Sequence, residues 1–183
     1  MVPPLFFTKG RTMTHQDVIK SVFITGLKNA HGVEHQALGL IDRQLDHLEH
    51  YPQVADKLRL HRGETEEQIL RLEEILEEFG EQRSLLKDMT LALSGNMAAI
   101  AHVFAPDEIL KNTFANFAFE NFEAAAYKSL ITLADAGSFT LWTPLLQQSL
   151  GEEQRMAEWV DAHNAELTLA YVARRAAGET ASH

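Results

Sequence analysis

Helical periodicity runs through almost the whole chain, and this feature most restricts what the chain can fold into. Apolar residues recur at spacings of three and four in every long segment, and no stretch alternates apolar and polar residues as a strand does. Turn and capping residues divide the 183 residues into about five helices. The sequence therefore predicts an all-α fold.

Capping and helix-breaking residues predict where the helices begin and end. Thr14 followed by an acidic third helical residue is typical of a helix start, and Pro52 suits a first helical turn. Gly80 can adopt the left-handed conformation that ends a helix, and Gly137 also ends one. The predicted helices are 15–51, 52–79, 84–104, 106–136 and one that begins between 138 and 144 and reaches at least 161. Residues 165–178 either continue the last helix or form a short terminal one.

The lengths of these helices predict a four-helix bundle. Two helices of about 30 residues precede a connection of about 25, and two more long helices follow it; a connection of that length allows a crossover. The architecture is thus a ferritin-like bundle with a long crossover that contains the extra helix 84–104. We expect a flexible N-terminus at 1–14, a single domain at 15–176 and a frayed tail at 177–183.

Composition excludes several classes of partner and site. The formal net charge of −10 argues against nucleic acid and against an anionic membrane surface, because both bind through clustered Lys and Arg. The chain has no cysteine, so thiolate metal sites and disulfides are absent. The first residues lack the pattern of a signal peptide, and no apolar run approaches the roughly 20 residues of a membrane span. We expect a soluble, cytoplasmic protein.

Acidic residues interrupt the apolar stripe of each of the four long predicted helices. Successive helical residues advance by about 100°, so the face that each position occupies follows from its number. Placed this way, carboxylates fall where leucines are expected. The inward acids are Glu34 on the first helix, Glu64 on the second, Glu120 with Glu123 beside it on the third, and Glu153 on the fourth. His61 shares the stripe of the second helix, whereas Glu152 points away from the core by the same arithmetic.

Burying these carboxylates requires compensation. Each unpaired carboxylate costs several kcal/mol on burial, and mutual repulsion adds to that. His61 is the only obvious basic group on the inward stripes. Either most of these acids are protonated, or divalent cations lie among them. Iron, manganese and magnesium accept oxygen-rich sites, and shared carboxylates can bridge two such ions.

Four segments carry a resemblance to a known family. The stretches "HGVEHQAL", "HRGETEEQILRLEEIL", "FENFEAAAY" and "LLQQSLGEEQRMAEWV" resemble the ferritin-like bacterial stress proteins of the YciE/YciF type. The resemblance spans about residues 17–165. It implies a rubrerythrin-related homodimeric bundle with a dinuclear iron or manganese site, magnesium being a third candidate. The ligand set that it implies is Glu34, Glu64, Glu120, Glu123 and Glu153.

The sequence departs from the usual di-iron pattern at its histidines. The Glu-x-x-His pairs expected on two helices are absent: the second helix has His61-x-x-Glu64, and Met156 lies three residues after Glu153. His61 is either a further ligand or a donor that orients a carboxylate, and Gln68 is expected as a hydrogen-bond partner. The other histidines show no ligand spacing.

Three functions stay open at this point. The leading hypothesis is a metal-binding stress protein that handles iron, dioxygen or peroxide. The alternative is a non-catalytic structural or interaction bundle, which the missing histidines favour. An iron-storage cage is a third reading, and it would need a shell of many subunits.

Overall fold

The computed structural model describes residues 13–81 and 109–179, and these residues form four long α-helices. They are α1 (His15–Leu45), α2 (Pro52–Glu78), α3 (Ile109–Ala136) and α4 (Thr143–Ala176). No strand occurs in these two ranges, so the predicted all-α class is confirmed. No helix in them is long and apolar enough to cross a bilayer.

The predicted capping residues act as expected at three helix ends. The Thr14 hydroxyl accepts a hydrogen bond from the backbone N–H of Asp17, and the Asp17 carboxylate accepts one from the backbone N–H of Thr14, which completes a capping box. Pro52 is the first residue of α2. Gly80 follows that helix with φ of 82°, the left-handed conformation that glycine adopts without steric cost.

The end of α1 differs from the sequence prediction, and the end of α4 decides between two predicted alternatives. α1 ends at Leu45 and not near residue 51. Leu48 and Tyr51 lie in the following turn but are only 5% and 3% exposed. The apolar periodicity of the sequence therefore continues past the last helical residue and does not indicate where α1 ends. Residues 165–176 continue α4 as one helix, which resolves the alternative left open above.

Each helix packs antiparallel to two neighbours. α1 contacts α2 and α3, and α4 contacts α2 and α3, so α2 and α3 lie on a diagonal of the bundle. The Nε2 of Gln16 at the start of α1 donates to the carbonyl oxygen of Gly137 after α3 at 2.7 Å. The Nε2 of Gln53 at the start of α2 donates to Oε1 of Glu166 near the end of α4 at 3.0 Å.

This arrangement makes α2 and α3 run in the same direction. The end of α2 and the start of α3 therefore lie at opposite ends of the bundle, and the chain between them must cross its length. The ferritin-like crossover is confirmed in this way. The predicted extra helix 84–104 and the predicted start of the third long helix at Pro106 lie outside the described residues.

Two apolar clusters occupy the two ends of the bundle. The first gathers around Phe23, Leu72, Ile75, Leu130 and Leu146. The second gathers around Tyr51, Leu58, Ile109, Met156 and Val160. Three phenylalanines of α3 lie outside both clusters and are exposed: Phe114, Phe117 and Phe122.

Shortening a leucine in the first cluster should destabilise the bundle. Leu72 is fully buried, so Leu72→Ala removes apolar contacts and leaves a cavity, and we expect the free energy of unfolding to fall by about 2–5 kcal/mol. Urea unfolding followed by circular dichroism measures the change. Leu70→Ala on the same helix is the matched control, because Leu70 is 51% exposed. Equal losses for both variants would contradict the assigned packing.

Candidate metal centre

A layer of buried polar side chains separates the two apolar clusters, and all four helices contribute to it. Its buried members are Glu34 on α1, His61, Thr65, Gln68 and Arg71 on α2, Glu120 and Glu123 on α3, and Glu152 and Glu153 on α4. Four of the five predicted inward acids thus meet at one level of the bundle, and the fifth, Glu64, lies at its edge. Its five buried carboxylates are at most 6% exposed.

His61 is the centre of the layer. Its Nε2 lies 3.0 Å from Oε2 of Glu120 and 3.7 Å from Oε2 of Glu153. One ligand atom from each of these three residues lies within 4.8 Å of the other two. Three different helices therefore bring one imidazole and two carboxylates together where an ion could contact all of them.

The second nitrogen of His61 has its own carboxylate. Nδ1 lies 3.1 Å from Oε2 of Glu64. Glu64 lies at the edge of the layer, with its side chain 19% exposed and Oε1 3.5 Å from Nη2 of Arg155. The hydrogen bond from His61 lowers the pKa of Glu64. Glu64 is therefore placed to orient the imidazole, and its role as a ligand stays an implication of the family resemblance.

Nearby carboxylates favour the charged form of His61. Burial alone would lower its pKa, but the Glu120 carboxylate and the hydrogen bonds to Glu120 and Glu64 outweigh burial and hold the pKa well above its usual value. Both ring nitrogens of His61 face carboxylates, with Glu120 at Nε2 and Glu64 at Nδ1. A metal ion would have to displace the proton on Nε2, while Nδ1–H could keep its bond to Glu64.

Glu34 has one satisfied oxygen and one unsatisfied oxygen. The Tyr127 hydroxyl donates to Oε1 at 2.5 Å, which places Tyr127 as a donor as well as a core residue. Oε2 is buried, and no group in the described chain donates to it. Burial raises the pKa of Glu34 to about 8, although the hydrogen bond from Tyr127 opposes the shift. Glu34 is therefore an acid that can give up its proton to bind a cation.

Glu123 and Glu153 also have raised pKa values and orphaned carboxyl oxygens. Neither carboxyl oxygen of Glu123 receives a hydrogen bond from the described residues, and neither does Oε2 of Glu153. Burial raises the pKa of both well above the usual range, and the neighbouring acids, Glu34 and Glu120 among them, raise it further. Such orphaned buried oxygens are rare unless a proton, water or ion is associated with them.

The prediction that Glu152 points away from the core is wrong. Glu152 is 6% exposed, and its Oε2 accepts hydrogen bonds from Arg71 Nη2 at 2.6 Å and from Gln68 Nε2 at 3.0 Å. Gln68 Nε2 also donates to Oε1 of Glu153, as expected for a hydrogen-bond partner. The arithmetic assumed a single buried stripe, but α4 packs against both α2 and α3, so two adjacent positions are covered.

Arg71 is the buried cation that the sequence interpretation missed. It is 8% exposed and pairs with Glu152, not with the central acids. A sequence signal existed: Arg71 lies seven residues after Glu64, which returns it to nearly the same face of α2. On one side of the layer Arg71 therefore neutralises Glu152 while Gln68 donates hydrogen bonds, and on the other side His61 faces the acids.

The residues of the layer fit a divalent metal. Neutral imidazole and carboxylates suit iron and manganese, and oxygen-rich sites suit magnesium. Ligands about 2.1 Å from an octahedral ion lie about 3 Å apart, which matches the 3.0 Å between His61 Nε2 and Glu120 Oε2. The orphaned oxygens of Glu34, Glu123 and Glu153 add acceptors on the remaining sides.

A family model covers most of the chain. Residues 18–173 match the family described as Domain of unknown function (DUF892). The chain belongs to this family. The match includes all four described helices except the first residues of α1 and the last of α4, and every residue of the buried polar layer.

Solved structures share the fold of this DUF892 protein. A protein of Xanthomonas campestris pv. campestris is 20% identical, with a TM-score of 0.70 over 86% of this chain and 98% of its own. The Escherichia coli stress protein YciF is 22% identical, with a TM-score of 0.66 over 81% and 97%. YcfI of Rhodopseudomonas palustris is 17% identical, with a TM-score of 0.62 over 85% and 98%. The predicted YciF-type bundle is thus confirmed as a fold.

The metal-free protein should lose stability as pH rises. Glu34, Glu123, Glu153 and His61 all have raised pKa values, so the folded chain holds these protons more tightly than the unfolded chain. The stabilisation from these protons is complete at pH values below the pKa values of the unfolded chain, and it is lost as the pH rises through the pKa values of the folded chain. For Glu34 this loss occurs between about pH 4.5 and about pH 8. Thermal melts of chelator-treated protein should therefore show a falling Tm over this interval.

Glu34→Gln should reduce that fall, because the amide keeps an acceptor for Tyr127 but does not titrate. Glu74→Gln on the exposed face of α2 serves as the control and should melt like the parent chain at each pH. A parent Tm that is constant or rises between about pH 5 and 8 would contradict the assigned protonation.

Proposed function

We propose that this DUF892 protein binds metal through the carboxylates of its buried polar layer. The supporting observation is that Glu34, Glu123 and Glu153 each hold at least one buried oxygen to which no described group donates. Protons can neutralise these acids, but a divalent ion would satisfy several of the oxygens at once. Two ions, iron or manganese, would use carboxylate oxygens of α1, α3 and α4 together with the His61 imidazole of α2; magnesium is the third candidate.

The chain's own residues have distinct roles in this proposal. Glu34, Glu120, Glu123 and Glu153 bind the ions, with Nε2 of His61 as the nitrogen ligand. Glu64 accepts from Nδ1–H of His61 and fixes the tautomer that leaves Nε2 free to bind. Tyr127 keeps a hydroxyl proton beside Glu34. Bound iron or manganese would supply redox chemistry toward iron, dioxygen or peroxide.

The biological setting belongs to the proposal as well. YciF of Escherichia coli is a stress protein, and we extend that role to this chain together with the rubrerythrin relation and a cytoplasmic location. A homodimer is also proposed, because Phe114, Phe117 and Phe122 give α3 exposed aromatic surface.

Replacing a central acid should release the metal. Glu120→Gln and Glu153→Gln remove a ligand charge but keep the side-chain shape, and we expect the affinity for Mn(II) to fall by about tenfold or more. Glu158→Gln, on the exposed face of α4, is the matched control and should bind like the parent chain. Equilibrium dialysis with elemental analysis measures the bound metal. Parent-like binding by both variants and by Glu123→Gln would remove the site.

A structural role without chemistry is the second candidate function. Arg71 and Gln68 pair with Glu152 and Glu153, and His61 pairs with Glu64 and Glu120, so the layer is already partly compensated without an ion. Such a layer can specify how the helices align.

Oxygen consumption separates the two candidates. Fe(II) added in air to metal-free protein should be oxidised faster than in buffer alone if the centre is redox-active, and Glu120→Gln should abolish the difference. A rate equal to that in buffer, with a native circular dichroism spectrum, would favour the structural role and leave open only redox-silent metal binding, which the dialysis test measures.

A further inference from the structure

A second group of potential ligands lies on the seam between α1 and α2 and shares no residue with the carboxylate layer. His31 and His35 are one turn apart on α1, and Glu73 faces them from α2. One ligand atom from each residue lies within 4.8 Å of the other two. The sequence interpretation did not rely on the four-residue spacing of these histidines, because their third partner lies on another helix and the sequence does not indicate it.

The distances in this group suit a small tetrahedral ion. The Nε2 of His31 lies 3.3 Å from Oε1 of Glu73. Ligands at about 2.0–2.2 Å around a tetrahedral zinc ion lie about 3.3–3.5 Å apart, so this pair already has the separation of two zinc ligands. The rings of His31 and His35 meet edge-on, with centroids 4.6 Å apart. The spacing of four residues on one helix is also the spacing that places two histidines on one ion.

The environment distinguishes this group from the carboxylate layer. His31 is buried, Glu73 is half-buried and His35 is exposed, so an ion could enter from solvent and keep a water as its fourth ligand. Two imidazoles and one carboxylate form a nitrogen-rich set, which suits zinc and similar ions better than magnesium. Lys28 lies one turn before His31, but its Nζ is 2.7 Å from Oε2 of Glu81. Its ammonium is therefore ion-paired with Glu81 and not with Glu73.

The protonation of His31 is compatible with metal binding. Burial lowers its pKa, against the opposing effect of the hydrogen bond to Glu73. A neutral imidazole is the form that binds metal.

We propose that His31, His35 and Glu73 form a mononuclear zinc-type site that fastens α1 to α2. The ligand class is a divalent ion of zinc character, with Co(II) as its spectroscopic substitute. The site is independent of the carboxylate layer, since it shares no ligand with it. Bound zinc would stabilise the α1–α2 hairpin, because it binds the folded chain and not the unfolded one.

The test uses the tag-free full-length chain, with Zn(II) binding measured by calorimetry and Co(II) binding by visible absorption. His35→Ala should weaken Zn(II) binding at one site by about tenfold or more and should abolish a tetrahedral Co(II) spectrum. Because His35 is exposed, the variant should fold normally. His50→Ala, an exposed histidine in the turn after α1, is the matched control and should bind like the parent chain.

A variant of the other centre separates the two proposals. Glu120→Gln should keep the Zn(II) site and the tetrahedral Co(II) spectrum, whether or not the carboxylate layer binds iron or manganese. Equal Zn(II) isotherms for His35→Ala and the parent chain would overturn the seam site. A parent chain with no Zn(II) binding, or binding lost in Glu120→Gln and kept in His35→Ala, would overturn it as well.

Discussion

The buried contact between His61 and Glu120 is the interaction on which the middle of this bundle depends. It joins α2 to α3, the two helices that lie on a diagonal, so it crosses the centre and not a side. Without the imidazole, several buried acids would face one another, offset among the described residues by Arg71 and Gln68 on one flank and by the Tyr127 hydroxyl at Glu34. The proton on His61 and a metal ion are therefore alternative solutions to the same electrostatic problem.

Helix geometry alone predicted much of the central layer. Glu34, Glu120 and Glu153 were placed inward by counting 100° per residue, and they are 1%, 5% and 0% exposed. The same counting failed for Glu152 and overlooked Arg71, which are buried as an ion pair. A stripe describes a helix with one buried side, whereas a helix in a four-membered ring contacts two neighbours. Pairing between helices depends on their relative register, and a single sequence does not contain that directly.

The other features that the sequence did not predict correctly also depend on contacts between distant parts of the chain. Leu48 and Tyr51 lie in a turn, but both fill the second apolar cluster, so the helical spacing of apolar residues continues beyond α1. The sequence therefore predicts an end of α1 that is too late. His31 and Glu73 are 42 positions apart, and nothing in either segment indicates the other. Local signals such as the capping box at Thr14, by contrast, were predicted correctly because all their partners are within one turn.

The two apolar clusters bear on whether the helices can pack before any ion binds. Each joins residues of all four helices at its own end, and neither includes the acids between them. The apolar packing of the four helices therefore contains none of the proposed metal ligands, unlike a small zinc domain, which folds only around its ion. Under the proposed function, ions would enter a bundle whose two apolar ends are already packed, and they would replace protons on its buried acids.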